Sequence, residues 1–556
     1  MSKRVLTANQ ADFARTVHAD IQRSIFSRPS SNKLTFNCGH LVPVYIDEVL
    51  PGDTFNFNIK FLSRLSTPIF PTMDDISLEY YAFYVPNRIV WDGWEELNGE
   101  NKTGAWTPAE EPALVPVYEN GVVKSKGIGD YYGLPINADL SKPANKVSCL
   151  PFRGYNLIYN EWFRDENLQA PIPLNKGNII NEVDEVYGPN GDLFKVNKFH
   201  DYFTSALPAP QKGESPLIPI ELNELIPVIT HTDIGRTGLG GLEFRRYDGQ
   251  SFGVNENLSL NVTGGDSGGT GKAYVSNDVV GNYQGTVFPS NLWADARNIT
   301  SLNASTISEL RTAFQIQKLY EKDARGGTRY QEMLKAHFGV DAQDYRLQRP
   351  EFLGRFKTLV GMQSVPQTSS TNETSPQGNL AAYSITTGMS NLFNKSFVEH
   401  GFIHVFVVAR QVKTYQQGLE KFWSRRERFD FYYPTLAHIS EQPIYNREIY
   451  ALGDDGDEIF GYQEAWADYR YKPNRVAGQF RSGVTNSLDI WHYADYYEST
   501  PRLSSEWITD NSDINVNRTL AVKMEKDDQI RMDIAFNCIT TRPMPVTSIP
   551  GLVDHF

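Results

Sequence analysis

Apolar/polar alternation, the period of a strand with one face in a core, stands near both ends of this chain and fades between them. Leu34, Phe36, Cys38, Val42, Val44 and Ile46 share one parity, which predicts a half-buried strand. Pro51-Gly52 follows, a pair suited to a type II turn, and Phe55, Phe57, Ile59 and Phe61 then alternate with Asn56, Asn58 and Lys60. A third run, Ile76, Leu78, Tyr80, Ala82 and Tyr84, ends at Pro86, which cannot donate to a ladder. Far along the chain, Phe397 to Val412 is nearly continuously apolar around HVFVVA, as expected of a strand buried on both faces. Ile530, Met532, Ile534, Phe536 and Cys538 alternate again. An isolated pair or triplet of strands holds its apolar face poorly, so strands from the two ends are expected to share one sheet system.

The middle carries helical and loop signals. Tyr155, Ile158, Tyr159, Trp162 and Phe163 follow helical spacing. Thr306 with Glu309 forms a capping box before a second helix ended by Gly326-Gly327, and Thr328 with Gln331 opens a third, closed by Gly339. Residues 213–290 are rich in Gly, Ser, Asn and Pro with no long periodic segment, so they read as a large surface excursion. Gln363 to Gly378, dominated by Ser, Thr, Gln and Pro, reads as a second loop.

At 556 residues the chain allows about three or four domains, or one sandwich with very long loops. Its 9 Trp, 29 Tyr and 31 Phe exclude disorder as a description of the whole and favour strands. Three widely spaced cysteines suit neither a disulfide framework nor a zinc site, so Cys38, Cys149 and Cys538 are expected to be buried thiols. The opening MSKRVLTANQ lacks the apolar stretch of a secretory signal, and Phe402 to Ala409 is far short of the about 20 residues a membrane needs. A soluble, unexported chain is the expectation.

The net charge of −13 argues against a surface built throughout to grip nucleic acid. It is an average over unlike regions. Residues 1–33 hold six Lys/Arg and two acids, and residues 410–428 also hold six and two, whereas residues 441–513 carry 14 acids against six bases. The first two are candidate phosphate-binding regions.

No catalytic or metal site is expected. Gly265-Asp266-Ser267-Gly268-Gly269 resembles the surroundings of a serine nucleophile, but His231 lacks the flanks of a matching base, and TGGDSGGTG reads as flexible loop. Asp454 to Glu458 has its glycine misplaced for a calcium loop and reads as an acidic turn. The cluster Trp491-His492-Tyr493 with Tyr496-Tyr497 is read as packing.

Whole phrases carry more than these motifs. The stretch LPFRGYNLIYNEWFRD from Leu150, FQIQKLYEKDARGGTRYQEMLKAHFGV from Phe314, RLQRPEFLG from Arg346 and SPQGNLAAY from Ser375 are similar to the major capsid protein of small single-stranded DNA phages, the Microviridae, and in particular the gokushovirus group. TFNCGHLVPVYIDEVLPGDTFNFN and TTRPMPVTSIPGL fit the same pattern, so the resemblance spans nearly the whole chain and fades over residues 213–290.

The resemblance implies a mainly β fold, an eight-stranded antiparallel jelly-roll β-sandwich with long inserted loops and several helices. The expected organisation is a basic N-terminal arm over 1–33 and a single jelly-roll capsid domain over 34–556. Residues 213–290 would form a variable surface loop, the threefold protrusion that meets the host. The implied function is a T=1 icosahedral shell around circular single-stranded DNA, assembled in the bacterial cytoplasm, with no enzymatic activity and no cofactor. Implied partners are further copies of the chain, a scaffolding protein, a small basic DNA-binding protein, a minor pilot protein and a host receptor. Lys3, Arg4, Arg15, Arg23, Arg425, Arg426 and Arg428 are the expected phosphate contacts. The alternative is a carbohydrate- or receptor-binding jelly-roll protein using the same loop.

Overall fold

The computed structural model describes residues 22–98, 114–213 and 348–547, apart from 370, 372, 374 and 375. Between 214 and 347 it describes eight short strands and the helix Ile307–Gly326. The chain divides into two compact units, 213–320 and the remainder.

In the larger unit, eight long strands form two four-stranded sheets. They are β1 (Ser24–Phe36), β2 (Val42–Val49), β3 (Thr54–Leu65), β4 (Ile76–Pro86), β5 (Glu351–Leu359), β6 (Thr386–Ser396), β7 (Gly401–Gln411) and β8 (Ile530–Arg542). One sheet has the order β1-β8-β3-β6 and the other β5-β4-β7-β2, all antiparallel. Consecutive strands alternate between the sheets except β4 and β5, which are neighbours in one sheet, and each sheet combines strands from before and after the long excursion, which is the jelly roll. β1 and β8 pair along their whole length, from Ser24 opposite Arg542 to Phe36 opposite Ile530.

The inward parity of both sheets builds the sandwich core. Phe36, Phe55, Phe57, Ile59, Val405, Val407, Ile534 and Phe536 are buried together, and Phe57 stacks on Phe393 with ring centroids 5.3 Å apart. Burying each such side chain contributes roughly 1.5–3 kcal/mol. A second apolar layer covers the other face of β4 and β7. Helix α1 (Leu150–Ile158) lies there, with Phe152, Tyr155 and Ile158 packed among Phe83, Val85, Phe406 and Val408. This double burial explains the continuous apolar run around HVFVVA. It also encloses His404, fully buried, whose Nδ1 shares a 2.8 Å hydrogen bond with the Tyr132 hydroxyl. The outward face of β1-β8-β3-β6 has no such cover among the described residues and carries mostly polar side chains, with Ile25, Leu62, Met389 and Ile539 exposed among them.

Three sequence expectations change. The single strand expected over Leu34–Ile46 is the end of β1 and the start of β2, on different sheets. Gly39, at φ +79°, turns the chain between them, and an odd number of intervening residues keeps even positions facing the core as far as Val44. The register shift opposite Val405 and Phe406 then reverses the parity of β2, so Ile46 lies opposite His404 on the other face and Val49 is in the core. The basic stretch 1–33 also runs into the fold, because its residues from Ser24 onward are strand. The loop expected over Gln363–Gly378 begins as a strand, Met362–Pro366, paired with Leu380–Ser384. Elsewhere the expectations hold: Gly52 has φ +89° in its turn, and α1 continues as a π-helical turn over Tyr159–Phe163. All three cysteines are free and buried. The helix expected from Thr328 lies outside the described residues.

In the smaller unit, strand pairs nest. Glu221–Leu222 pairs with Leu302–Asn303, Val228–Thr230 with Leu292–Ala294, Phe244–Arg246 with Val287–Pro289, and Leu258–Thr263 with Lys272–Asn277. Each pair encloses the next, so the excursion is a single out-and-back ladder, a non-local order that no short window of sequence displays.

Candidate nucleic-acid and assembly surfaces

The arginines of the second basic region sit on a loop of short 3-10 turns, Lys421–Ser424, Arg428–Asp430 and Pro434–Leu436. Asp430 closes it by accepting the backbone N–H groups of Arg426 and Glu427, both at 2.8 Å. Those bonds hold its carboxyl below the usual range. Arg425 points into the protein, ion-paired with Asp468 and 4.1 Å over the Tyr469 ring, with its side chain 8% exposed. Its charge is already met. Arg426 and Arg428 are exposed, the latter 5.5 Å over Tyr433. Trp423, Phe429 and Phe431 stand exposed beside them.

Next to this loop is a cavity of about 420 Å³ lined by Tyr202, Tyr415, Phe422 and Tyr471 with Glu448. The Tyr202 hydroxyl donates to Glu448 at 3.0 Å, and burial pushes that carboxyl up despite Lys421 nearby. Arg23 lies elsewhere, exposed before β1 with its guanidinium against the Pro51-Gly52 turn. Lys3, Arg4 and Arg15 lie outside the described residues. The four candidates that are described thus occupy two neighbourhoods, and only three have an exposed charge.

Buried charge elsewhere is structural. Burial would raise the Glu79 carboxyl, but Arg410 and hydrogen bonds from Tyr81, Arg410 and Arg355 hold it below the ordinary range. Arg153 and Asp184 form a buried bidentate pair at 3.1 and 3.0 Å. The acidic turn is self-contained: Asp455 accepts from Thr500 at 2.7 Å, and Asp457 pairs with Arg447. No group of three or more His, Cys, Asp and Glu side chains is placed to hold a metal among the described residues. Trp491 stacks on Phe70 and Tyr493 is buried, as packing requires. Ser267 and His231 lie outside the described residues.

A different set of bases is gathered by the fold: Lys33, at the end of the first basic region, with Lys60, Arg64 and Arg531, which are too scattered along the chain to form a run. Each sits on the outward parity of the β1-β8-β3-β6 sheet. Strand parity was the signal that could have marked each of them as outward.

With eight strands in this order, the chain can be set beside known proteins. Residues 14–552 match the family described as Capsid protein (F protein). The chain belongs to that family. This capsid protein is similar to the Capsid protein VP1 of Chlamydia phage 1, 41% identical over 597 residues that cover 97% of both chains. It is similar also to those of Bdellovibrio phage phiMH2K, at 41%, and Spiroplasma virus 4, at 43%, each over 99% of both chains. The resemblance to Microviridae coat proteins and the jelly-roll expectation are both borne out. As a phage capsid protein the chain is a virion component that associates with copies of itself. No helix among the described residues is long and apolar enough to cross a membrane.

Proposed function

We propose that this capsid protein tiles a T=1 icosahedral shell around circular single-stranded DNA, as a structural protein with no catalytic step of its own. The observation that carries the reading is the eight-stranded jelly roll in a chain that matches phage capsid proteins from end to end. Assembly takes place in the bacterial cytoplasm with a scaffolding protein, and the particle includes a minor pilot protein. A net charge of −13 makes the subunit a poor counterion for a packed genome, so a small basic DNA-binding protein is packaged with it. The excursion 213–290 meets the host receptor, a carbohydrate being the favoured chemistry for its Ser-, Asn- and Gly-rich surface. Lys3, Arg4, Arg15, Arg23, Arg426 and Arg428 are the proposed phosphate contacts of the first set; Arg425 is engaged by Asp468 and drops out.

Electron microscopy of virions, with assay of their nuclease-resistant nucleic acid, tests this reading. Uniform particles of 60 subunits, the number a T=1 shell requires, holding single-stranded DNA are expected. Particles of another subunit number, or filled with another nucleic acid, would sink it.

A further inference from the structure

One face of one sheet departs from the rest of the molecule. The outward residues of β1, β8, β3 and β6 include four cations, Lys33, Lys60, Arg64 and Arg531, and one acid, Asp533, in a chain whose net charge is −13. Arg64 and Arg531 are opposed across the ladder, an arrangement that like charges disfavour. Arg531 leans on Asp527 and Lys33 lies 3.5 Å from Asp533, while Lys60 and Arg64 have no ion pair among the described residues.

The same face gathers Asn56, Asn58, Asn391, Asn394 and Asn537. Asparagine is disfavoured in strands, so folding does not explain five of them on one surface. The Asn391 amide donates to the Asn56 and Asn58 side chains at 2.8 and 3.0 Å, which leaves a patch of amide groups on one side of Lys60, whose own cross-strand neighbours are Met389 and Ala535. Beside Arg64 the face meets a cleft of about 800 Å³ that wraps the β1 edge, shared with Val44, Tyr45 and Ile46 of β2 and walled by Lys126, Asp130 and Tyr131. From Asn56 to Arg64 the surface is about 27 Å long, at strand rise.

We propose that this face and its cleft form the surface on which single-stranded DNA lies, with Lys60 and Arg64 as its principal phosphate contacts. The inference rests on the single-stranded DNA reading above and names a site for it. Charge complementarity selects the occupant: a polyanion fits a net positive wall, and a small basic protein is repelled by it. A second copy of the chain fits less well, because the outward parity carries no aromatic ring and interleaves its exposed apolar side chains, Ile25, Leu62, Met389 and Ile539, with amides and charges. Contacts of this kind read the backbone and not the bases, so binding is indifferent to sequence and steep in salt.

The test titrates the unassembled full-length chain with a fluorescein-labelled oligothymidine of about 20 nucleotides across a salt series. Lys60→Gln/Arg64→Gln should lower the slope of log K against log salt by about 1.4, which is about 25-fold in affinity near 0.1 M. Lys60→Arg/Arg64→Lys should restore both, and Lys142→Gln/Arg502→Gln, which removes two exposed charges away from either basic region, should stay within about twofold of wild type. An unchanged slope in Lys60→Gln/Arg64→Gln overturns the inference and leaves the shell reading standing. So does a variant that binds DNA normally but no longer forms particles, since the face is then a contact between copies. Wild-type particles without protected single-stranded DNA overturn the reading on which the inference rests.

Discussion

His404 shows what burial does to a single titratable group. It stands in the middle of β7 with Tyr132 on Nδ1 and no partner for Nε2 among the described residues, and burial holds its imidazole down, to about 3. An unfolded chain takes that proton near pH 6.5. Between these values the unfolded state binds more protons, so stability is full above pH 6.5 and falls as pH drops toward 3. The limit is about 1.4 kcal/mol per pH unit. His404→Phe should flatten this slope in urea unfolding of the unassembled chain. At neutral pH it should cost about 1–3 kcal/mol, because the Tyr132 hydroxyl loses its partner. The sequence displayed His404 inside an apolar run, which was enough to read burial. It did not display Tyr132, since that partner comes from 272 residues away.

Elements were legible where one physical period governs them. β3 and β8 follow alternation because a single face meets the core, and α1 follows helical spacing because it lies on β4 and β7. The break between β1 and β2 was hidden because the turn at Gly39 preserves parity, so two strands on two sheets mimic one. β5 gave no clear alternation: it is an edge strand, exposed or half-buried along its length, with a register shift between Phe352 and Gly354. That bulge brings β5 against β6 of the other sheet, where a Cβ on Gly354 would lie 2.1 Å from the Leu392 carbonyl oxygen. Gly354→Ala should therefore destabilise the chain by about 1–3 kcal/mol, read from its denaturation midpoint, through displacement of backbone rather than a flexible side chain.

For the molecule as a whole, the average charge was the least informative quantity and its distribution the most. Linear runs pointed to 410–428, yet Arg410 and Arg425 are committed to Glu79 and Asp468. The cations of the bare basic face come from β1, β3 and β8, so strand parity marks each one as outward and only the topology shows that they share a face. The nested ladder of 213–320 likewise fixes how the excursion can be removed. Replacing residues 231–291 with a tight turn leaves Thr230 opposite Leu292 to close the ladder, whereas removing 213–290 strands the returning half. The shorter deletion should give particles in normal yield that no longer adsorb to the host. Normal adsorption would count against a receptor role for the excursion.

The place of β8 has a consequence in time. It is the seam between β1 and β3, yet it is the last long strand to leave the ribosome, and Phe36 waits for Ile530. Until then β1 has no neighbour in its sheet, and the outward row that includes Arg64 and Arg531 does not exist. Such long-range closure is slow relative to local structure. Synthesis thus acts as a clock: a nascent chain cannot offer the finished wall to its siblings or to a genome before its C-terminal strand is home.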